Sequence, residues 1–186
     1  MARSRITQPS VDLVSDSGTV LLSIIQGEQL EYPVTLHTAP AGHTLKATLV
    51  EAQNIAFQTE RPTALMPAGV STQLNVRVPT YRNNWSAPTP YAVGDMVAYG
   101  GLFYLRDVGG ALTDGTPPDV SPLWVATPRT RVYLQIPSTA INTWSVKPGV
   151  EYAVYGFLEL AITENTGVFP RTWKPVRGMT EFLFSL

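Results

Sequence analysis

Apolar and polar residues alternate with a period of two along most of this 186-residue chain, and no stretch of similar length repeats at the helical spacing. Successive side chains of a strand point to opposite faces, so this alternation builds sheets; a helix needs apolar residues three and four apart. Leu30, Tyr32, Val34 and Leu36 form one run, Leu45, Ala47 and Leu49 a second, Leu74, Val76 and Val78 a third, and Val132, Leu134 and Ile136 a fourth. The longest run places Tyr152, Val154, Gly156, Leu158, Leu160 and Ile162 on one face and Ala153, Tyr155, Phe157 and Ala161 on the other. A strand that is apolar on both faces belongs at the centre of a sandwich. The expected fold class is all-β, an antiparallel sandwich of immunoglobulin-like or Greek-key type.

Proline and glycine punctuate these runs. Pro40-Ala41-Gly42, Pro67-Ala68-Gly69 and Lys147-Pro148-Gly149 are expected to be turns or loops, and the run that starts at Thr180 is expected to carry strand structure to Leu186.

Residues 85–124 interrupt this pattern with a different one. Tyr91, Val93, Val97 and Tyr99 alternate around Gly94-Asp95, which predicts two short strands meeting at turn residues. Gly100-Gly101 predicts a tight reversal into Leu102-Phe103-Tyr104-Leu105, and residues 107–119 predict a long loop. Trp124 is expected to fold back as a lid on the core. The flanking runs, Val76-Arg77-Val78-Pro79 and Arg131-Val132-Tyr133-Leu134, read as strands of the surrounding domain. Residues 1–80 and 129–186 are therefore expected to form a host sandwich, with 81–128 inserted as a small β module at a surface connection.

The frame of Trp85, Tyr91, Gly94-Asp95, Val97, Tyr99, Gly101, Tyr104 and Trp124 resembles the short chitin-binding type carbohydrate-binding modules and their relatives in bacteriophage tail proteins. The resemblance implies glycan contact through aromatic rings, with Trp85, Tyr91, Tyr99, Tyr104 and Trp124 as candidates, because sugars stack their apolar CH faces on exposed rings. The chitin-binding relatives have an aromatic pair shortly after the position of Tyr104; here that place is Val108-Gly109. So short a unit has little interior, so several of these rings are expected to pack rather than bind. Trp85 and Tyr91, near the rim, are expected to be the least buried.

The host segments also carry a resemblance. The strings IIQGEQLEYPVTL, LKATLV, QIPSTAINTW and GVEYAVYGFLEL, in that order, resemble the small β-sandwich domains of phage baseplate upper proteins and related tail proteins. That likeness implies a structural role in a virion, with copies of itself and other virion proteins as partners and a host-surface glycan as a further one. Decoration of a capsid and a free glycan-binding protein are the alternatives.

Composition narrows the function classes. The formal net charge is −1, and the clustered Arg3 and Arg5 sit near a terminus, so no basic footprint for nucleic acid is present. The chain has no cysteine, which removes disulfides, thiolate metal sites and thiol nucleophiles. The longest apolar run, residues 20–25, is too short to span a membrane and lies far from a basic start, so neither a membrane partner nor a signal-peptide route is expected.

Catalysis finds no foothold. His37 and His43 lie in or beside a loop with no nucleophile motif nearby, and no phosphate-binding loop or metal-binding motif occurs. Asp95, Asp107, Asp114 and Asp119 share the insert, but glycoside cleavage needs two carboxyl groups held across a cleft; at Gly94-Asp95 and Asp114-Gly115 aspartate is an ordinary turn residue. No cofactor or metal is expected. Trp144 and Trp173, in Thr-Trp contexts beside the last long strands, are interface candidates, with core or edge packing as the alternative. Arg171, Lys174 and Arg177 make the loop expected after Phe169 basic, which suits a solvated connection or an acidic neighbour.

Overall fold

A computed structural model describes residues 13–14, 20–25, 27–36, 39–58, 61–110, 115–142, 144, 153–165 and 171–183. Its regular structure is all-β, as expected. The strands are β1 (Leu13–Val14), β2 (Val20–Ile25), β3 (Leu30–Thr35), β4 (His43–Gln58), β5 (Arg61–Arg77), β6 (Thr80–Asn84), β7 (Asp95–Tyr99), β8 (Leu102–Arg106), β9 (Trp124–Ala126), β10 (Arg131–Ile136), β11 (Ala153–Glu164) and β12 (Thr172–Leu183). They fall into two compact units, one drawn from Met1–Val34, Ala41–Val76 and Tyr133–Leu186, the other from Thr35–Pro40 and Arg77–Val132.

The first unit holds an eight-stranded sheet in the order β1-β12-β11-β4-β5-β10-β3, with β2 also paired to β12. β11 is an interior strand beside the central β4; its Leu158, Leu160 and Ile162 are essentially inaccessible and Tyr155 is buried on the other face. β11 runs antiparallel to both neighbours, with Leu158 opposite Leu49 of β4 and Gly178 of β12. Alternation sets the burial in β3, where Leu30, Tyr32 and Val34 are buried and Glu31, Pro33 and Thr35 are half-buried, and likewise in β10 through Val132, Leu134 and Ile136. Burial of the Tyr32 phenol raises its pKa above the ordinary value of a tyrosine.

Gly156 shows how close the packing is. A Cβ there would come within 2.5 Å of Trp144 Cη2 and 3.0 Å of Leu49 Cδ1, so the indole lies directly on the backbone of β11. Trp144 also meets Phe182 edge-on, with centroids 5.4 Å apart.

Some features depart from the sequence expectation. Pro67-Ala68-Gly69 lies inside β5 rather than in a turn. Val50 pairs with Ser71 and Ala52 with Pro67, so residues 68–70 stand opposite Glu51 alone. Proline and glycine here serve a bulge, where an unpaired N–H or a loosened ladder is tolerated. The buried Glu51 carboxylate accepts the Val70 N–H at 3.5 Å across this bulge. Pairing is also not purely antiparallel: β1 and β2 run parallel to β12, and β6 runs parallel to β7. Parallel pairs need long connections rather than tight turns, and each of these has one.

Of the third alternating run, Leu74 is buried, Val76 half-buried and Val78 exposed; Leu45 is half-buried. Pro40-Ala41-Gly42 does form a turn, with Gly42 at φ 78°. The turn expected at 147–149, His37, Asp114, Tyr152 and residues 184–186 lie outside the described residues.

Candidate functional site

The second unit is built on a four-stranded sheet in the order β6-β7-β8-β9. It is wider than 81–128, because β6 begins at Thr80 and residues 35–40 join it. The Leu36 N–H donates to Thr130 O at 2.9 Å, and Arg131 Nε donates to Thr35 Oγ1 at 3.5 Å.

Local chemistry dictates its turns. The first of the two short strands expected around Gly94-Asp95 is absent: Tyr91 and Ala92 lie outside any strand and lead into a turn closed by Asp95 N–H donating to Ala92 O at 3.0 Å. The Asp95 side chain ties the same turn from the other end, since its Oδ2 accepts the Ala92 N–H at 2.9 Å. Arg82 Nε lies 3.4 Å from that carboxylate oxygen. Gly94, at φ 96°, also donates to Arg106 O at 2.8 Å, so a conformation that disfavours side chains is locked on both sides. Gly100 and Gly101, at φ 57° and 81°, make the two-residue reversal between β7 and β8.

One face of this sheet carries the aromatic frame. Val97 of β7 pairs with Tyr104 of β8, and Tyr104 with Ala126 of β9. Tyr91, Val97, Tyr104 and Trp124 form the buried core, with Trp85, Tyr99 and Leu123 packed against it. Tyr91 meets Trp124 edge-on at 5.3 Å, and its hydroxyl accepts the Ser86 N–H at 2.9 Å. The buried Arg106 guanidinium stands 5.8 Å from the Trp124 ring.

The five candidate rings therefore separate. Tyr91, Tyr104 and Trp124 are 3%, 9% and 6% exposed and have no free face for a sugar. Tyr91 in particular is not a rim residue, because its hydroxyl is anchored to the Ser86 backbone and its ring rests on Trp124. Trp85 and Tyr99 remain half-buried and meet each other edge-on, with centroids 5.4 Å apart. The register explains the pairing: Asn84 pairs with Ala98, and the Trp85 N–H donates to Ala98 O at 2.9 Å, which sets the two rings side by side. Arg82, Asn83, Asn84 and Ser86 are exposed around Trp85 and supply hydrogen-bonding groups. Val108 is 46% exposed.

A second aromatic group lies on the same unit. Tyr81 and Phe103 meet edge-on at 5.9 Å, and the Arg129 guanidinium stacks 4.2 Å from the Tyr81 centroid. Tyr81 and Arg129 sit at the two ends of the segment read as an insert, where joining residues rather than binding residues are expected. The available signal is a tyrosine and an arginine at the paired ends of one module.

The interface candidates also separate. Trp144 is 6% exposed and belongs to the core between Gly156 and Phe182, so it is not an interface residue on the free surface. Trp173 is half-buried and meets His43 edge-on at 5.4 Å. His43 is thereby occupied as a packing partner, and its Nδ1 lies 3.0 Å from Ala41 O. Lys174 and Arg177 lie in β12 rather than in the expected loop; Lys174 pairs with Glu159 at 2.8 Å and Arg177 stacks on Phe157 at 5.6 Å, so these two of the three basic residues act within their own sheet. Among the described residues, no group of three His, Asp or Glu side chains could hold a metal ion, and no helix is long and apolar enough to cross a membrane.

No protein-family model, no curated protein and no solved structure matches this chain.

Proposed function

We propose that the chain is a non-enzymatic structural subunit of a bacteriophage particle, in the tail, baseplate or fibre-attachment region, whose second unit touches a host-surface glycan through Trp85 and Tyr99. The observation that carries the glycan part is the division of the aromatic frame: three rings close a core, and two stay at the surface beside exposed polar side chains. A ring pair held by packing and by backbone register is preorganised, which lowers the entropic cost of binding a flexible sugar. The virion part is supported by the resemblance of the host segments to baseplate and tail domains. With two rings rather than an extended platform, affinity is expected to be weak per site and to depend on many copies acting together.

Titration of the ¹⁵N-labelled protein with soluble oligosaccharides from bacterial envelopes tests the site. Shifts centred on Trp85 and Tyr99 that vanish in Trp85→Ala support it; binding that survives this substitution overturns it. Electron cryomicroscopy of the particles tests the assembly role through the presence of the two-sheet chain at a symmetric position. Steady release of reducing ends from such polysaccharides would contradict the non-enzymatic reading.

A further inference from the structure

Arg129 is exposed, and among the described residues its guanidinium has no carboxylate or other hydrogen-bond acceptor. It is nevertheless held in place. The guanidinium carbon lies over the Tyr81 ring at 4.2 Å from its centroid and 6.0 Å from that of Phe103. The Thr127 N–H donates to Phe103 O at 2.9 Å, which carries the chain past Phe103, and the Arg131 N–H donates to Pro128 O at 3.1 Å, closing a turn with Arg129 inside it. A guanidinium stacked on a ring keeps the N–H groups around its edge available, and that edge is the fork that matches two oxygens of a carboxylate or phosphate. The neighbouring acids are engaged elsewhere: Asp95 faces Arg82 at 3.4 Å, and Asp107 faces Arg77 at 3.7 Å.

The rings beneath supply further contacts. Tyr81 and Phe103 are half-buried, so each keeps some apolar surface open, and the Tyr81 hydroxyl has no hydrogen-bond partner among the described residues. We propose that Arg129, Tyr81 and Phe103 form an anion-binding site that takes the carboxylate or phosphate of an acidic saccharide. The guanidinium grips the oxyanion, the rings meet the CH face of the sugar, and the Tyr81 phenol bonds a sugar hydroxyl. An aspartate or glutamate side chain of a partner protein offers that phenol no hydroxyl, so a sugar matches the site better. The saccharide part rests on the reading of the second unit as glycan-binding, to which it adds a requirement for charge.

This site is separate from the Trp85 and Tyr99 pair. Tyr81 pairs with Met96 and Phe103 with Ala98, whereas Tyr99 pairs with Leu102. Cross-strand partners share a face and successive residues alternate, so Tyr81 and Phe103 lie on one face of the sheet and Tyr99 on the other.

Titration of the ¹⁵N-labelled protein with glucuronate, glucose 6-phosphate and glucose tests the site, read at the Arg129 Nε–H and at the amides of Tyr81, Phe103 and Arg129. The acidic sugars are expected to shift these signals and glucose is not. A response to glucuronate alone identifies a carboxylate as the ligand group, and a response to glucose 6-phosphate alone identifies a phosphate. Arg129→Gln is expected to weaken the binding about tenfold or more, because a charged hydrogen-bonding group is lost. Arg129→Lys keeps the charge without the fork and is expected to weaken it as well, and Tyr81→Phe, which keeps the stack, less than either. Circular dichroism should be unchanged in all three. Equal shifts by glucose, shifts that survive Arg129→Gln, or silence toward both acidic sugars overturn the proposal. Capture of polyglutamate by a site silent to both sugars also overturns it and assigns the surface to an acidic protein. Acidic-sugar shifts at Arg129 with no binding at Trp85 by any envelope oligosaccharide sink the Trp85 and Tyr99 reading alone; binding that depends on Trp85 while the Arg129 signals stay still sinks this site alone.

Discussion

The two units close their interiors by different means. In the larger one, long strands place aliphatic side chains such as Leu49, Leu134, Leu158, Leu160 and Ile162 at successive alternate positions, and many residues share the burial. In the smaller one, strands of five residues or fewer cannot present such rows, and Tyr91, Tyr104 and Trp124 fill the space with Val97. A ring buries far more surface than a valine, so a few rings can substitute for a row of aliphatics. An aromatic-rich short segment thus invites a binding interpretation when much of its aromatic content is structural. What distinguishes the two uses is the register beneath each ring rather than the ring itself.

The contrast is broken most directly by Trp124→Ala. It is expected to cost about 3–5 kcal/mol, and hydrogen exchange should rise through β7, β8 and β9 while β11 and β12 keep their protection. In the larger unit Leu158→Ala is expected to cost about 2–5 kcal/mol, with the opposite pattern of exchange. If either substitution loosens both units equally, the cores are not separate.

Gly156→Ala probes the closeness of packing in the larger core. Its methyl group would meet an indole on one side and Leu49 on the other, so a loss of about 1–3 kcal/mol by urea denaturation is expected. Gly156→Ala, Trp144→Phe combined should recover part of that loss, because the smaller ring leaves room.

Alkaline pH gives a smaller effect. The pKa of Tyr32 is raised in the folded chain, so the unfolded chain releases its proton first, at about pH 10. The contribution of Tyr32 is fully present below that pH and is lost as the pH rises through the folded pKa. Tyr32→Phe should flatten this part of the decline in a denaturation series from neutral to alkaline pH. The least costly change is Trp85→Ala, expected at about 1 kcal/mol or less because the ring is half-buried, with loss of glycan binding at unchanged fold.

Much of the larger unit is legible in the sequence. Period two identifies β3, β10 and β11 and their buried faces, and the double-sided apolar pattern of β11 marks it as an interior strand, flanked by β12 and β4. Pro67-Ala68-Gly69 reads as a turn because a bulge and a turn call for the same residues; the difference lies in whether the partner strand continues, and β4 does. Parallel pairing of β2 with β12 is invisible in the sequence, since it depends on residues far apart along the chain. In the smaller unit the crowding of rings is legible, but their orientation is not. Tyr91 has no strand to give it a parity, and its burial depends on a hydrogen bond to Ser86 and on Trp124 folding back over it.

The central claim, that packing consumes the inner rings and leaves Trp85 outward, can be tested by ¹⁹F NMR of the chain labelled with 5-fluorotryptophan in the presence of a soluble paramagnetic agent. The four tryptophan signals can be assigned by single Trp→Phe substitutions. Trp85 and Trp173 are predicted to broaden strongly, while Trp124 and Trp144 keep their linewidths. Broadening of Trp124 to the same extent as Trp85 would contradict the claim, because the ring that closes the smaller core would then be open to solvent and to a sugar.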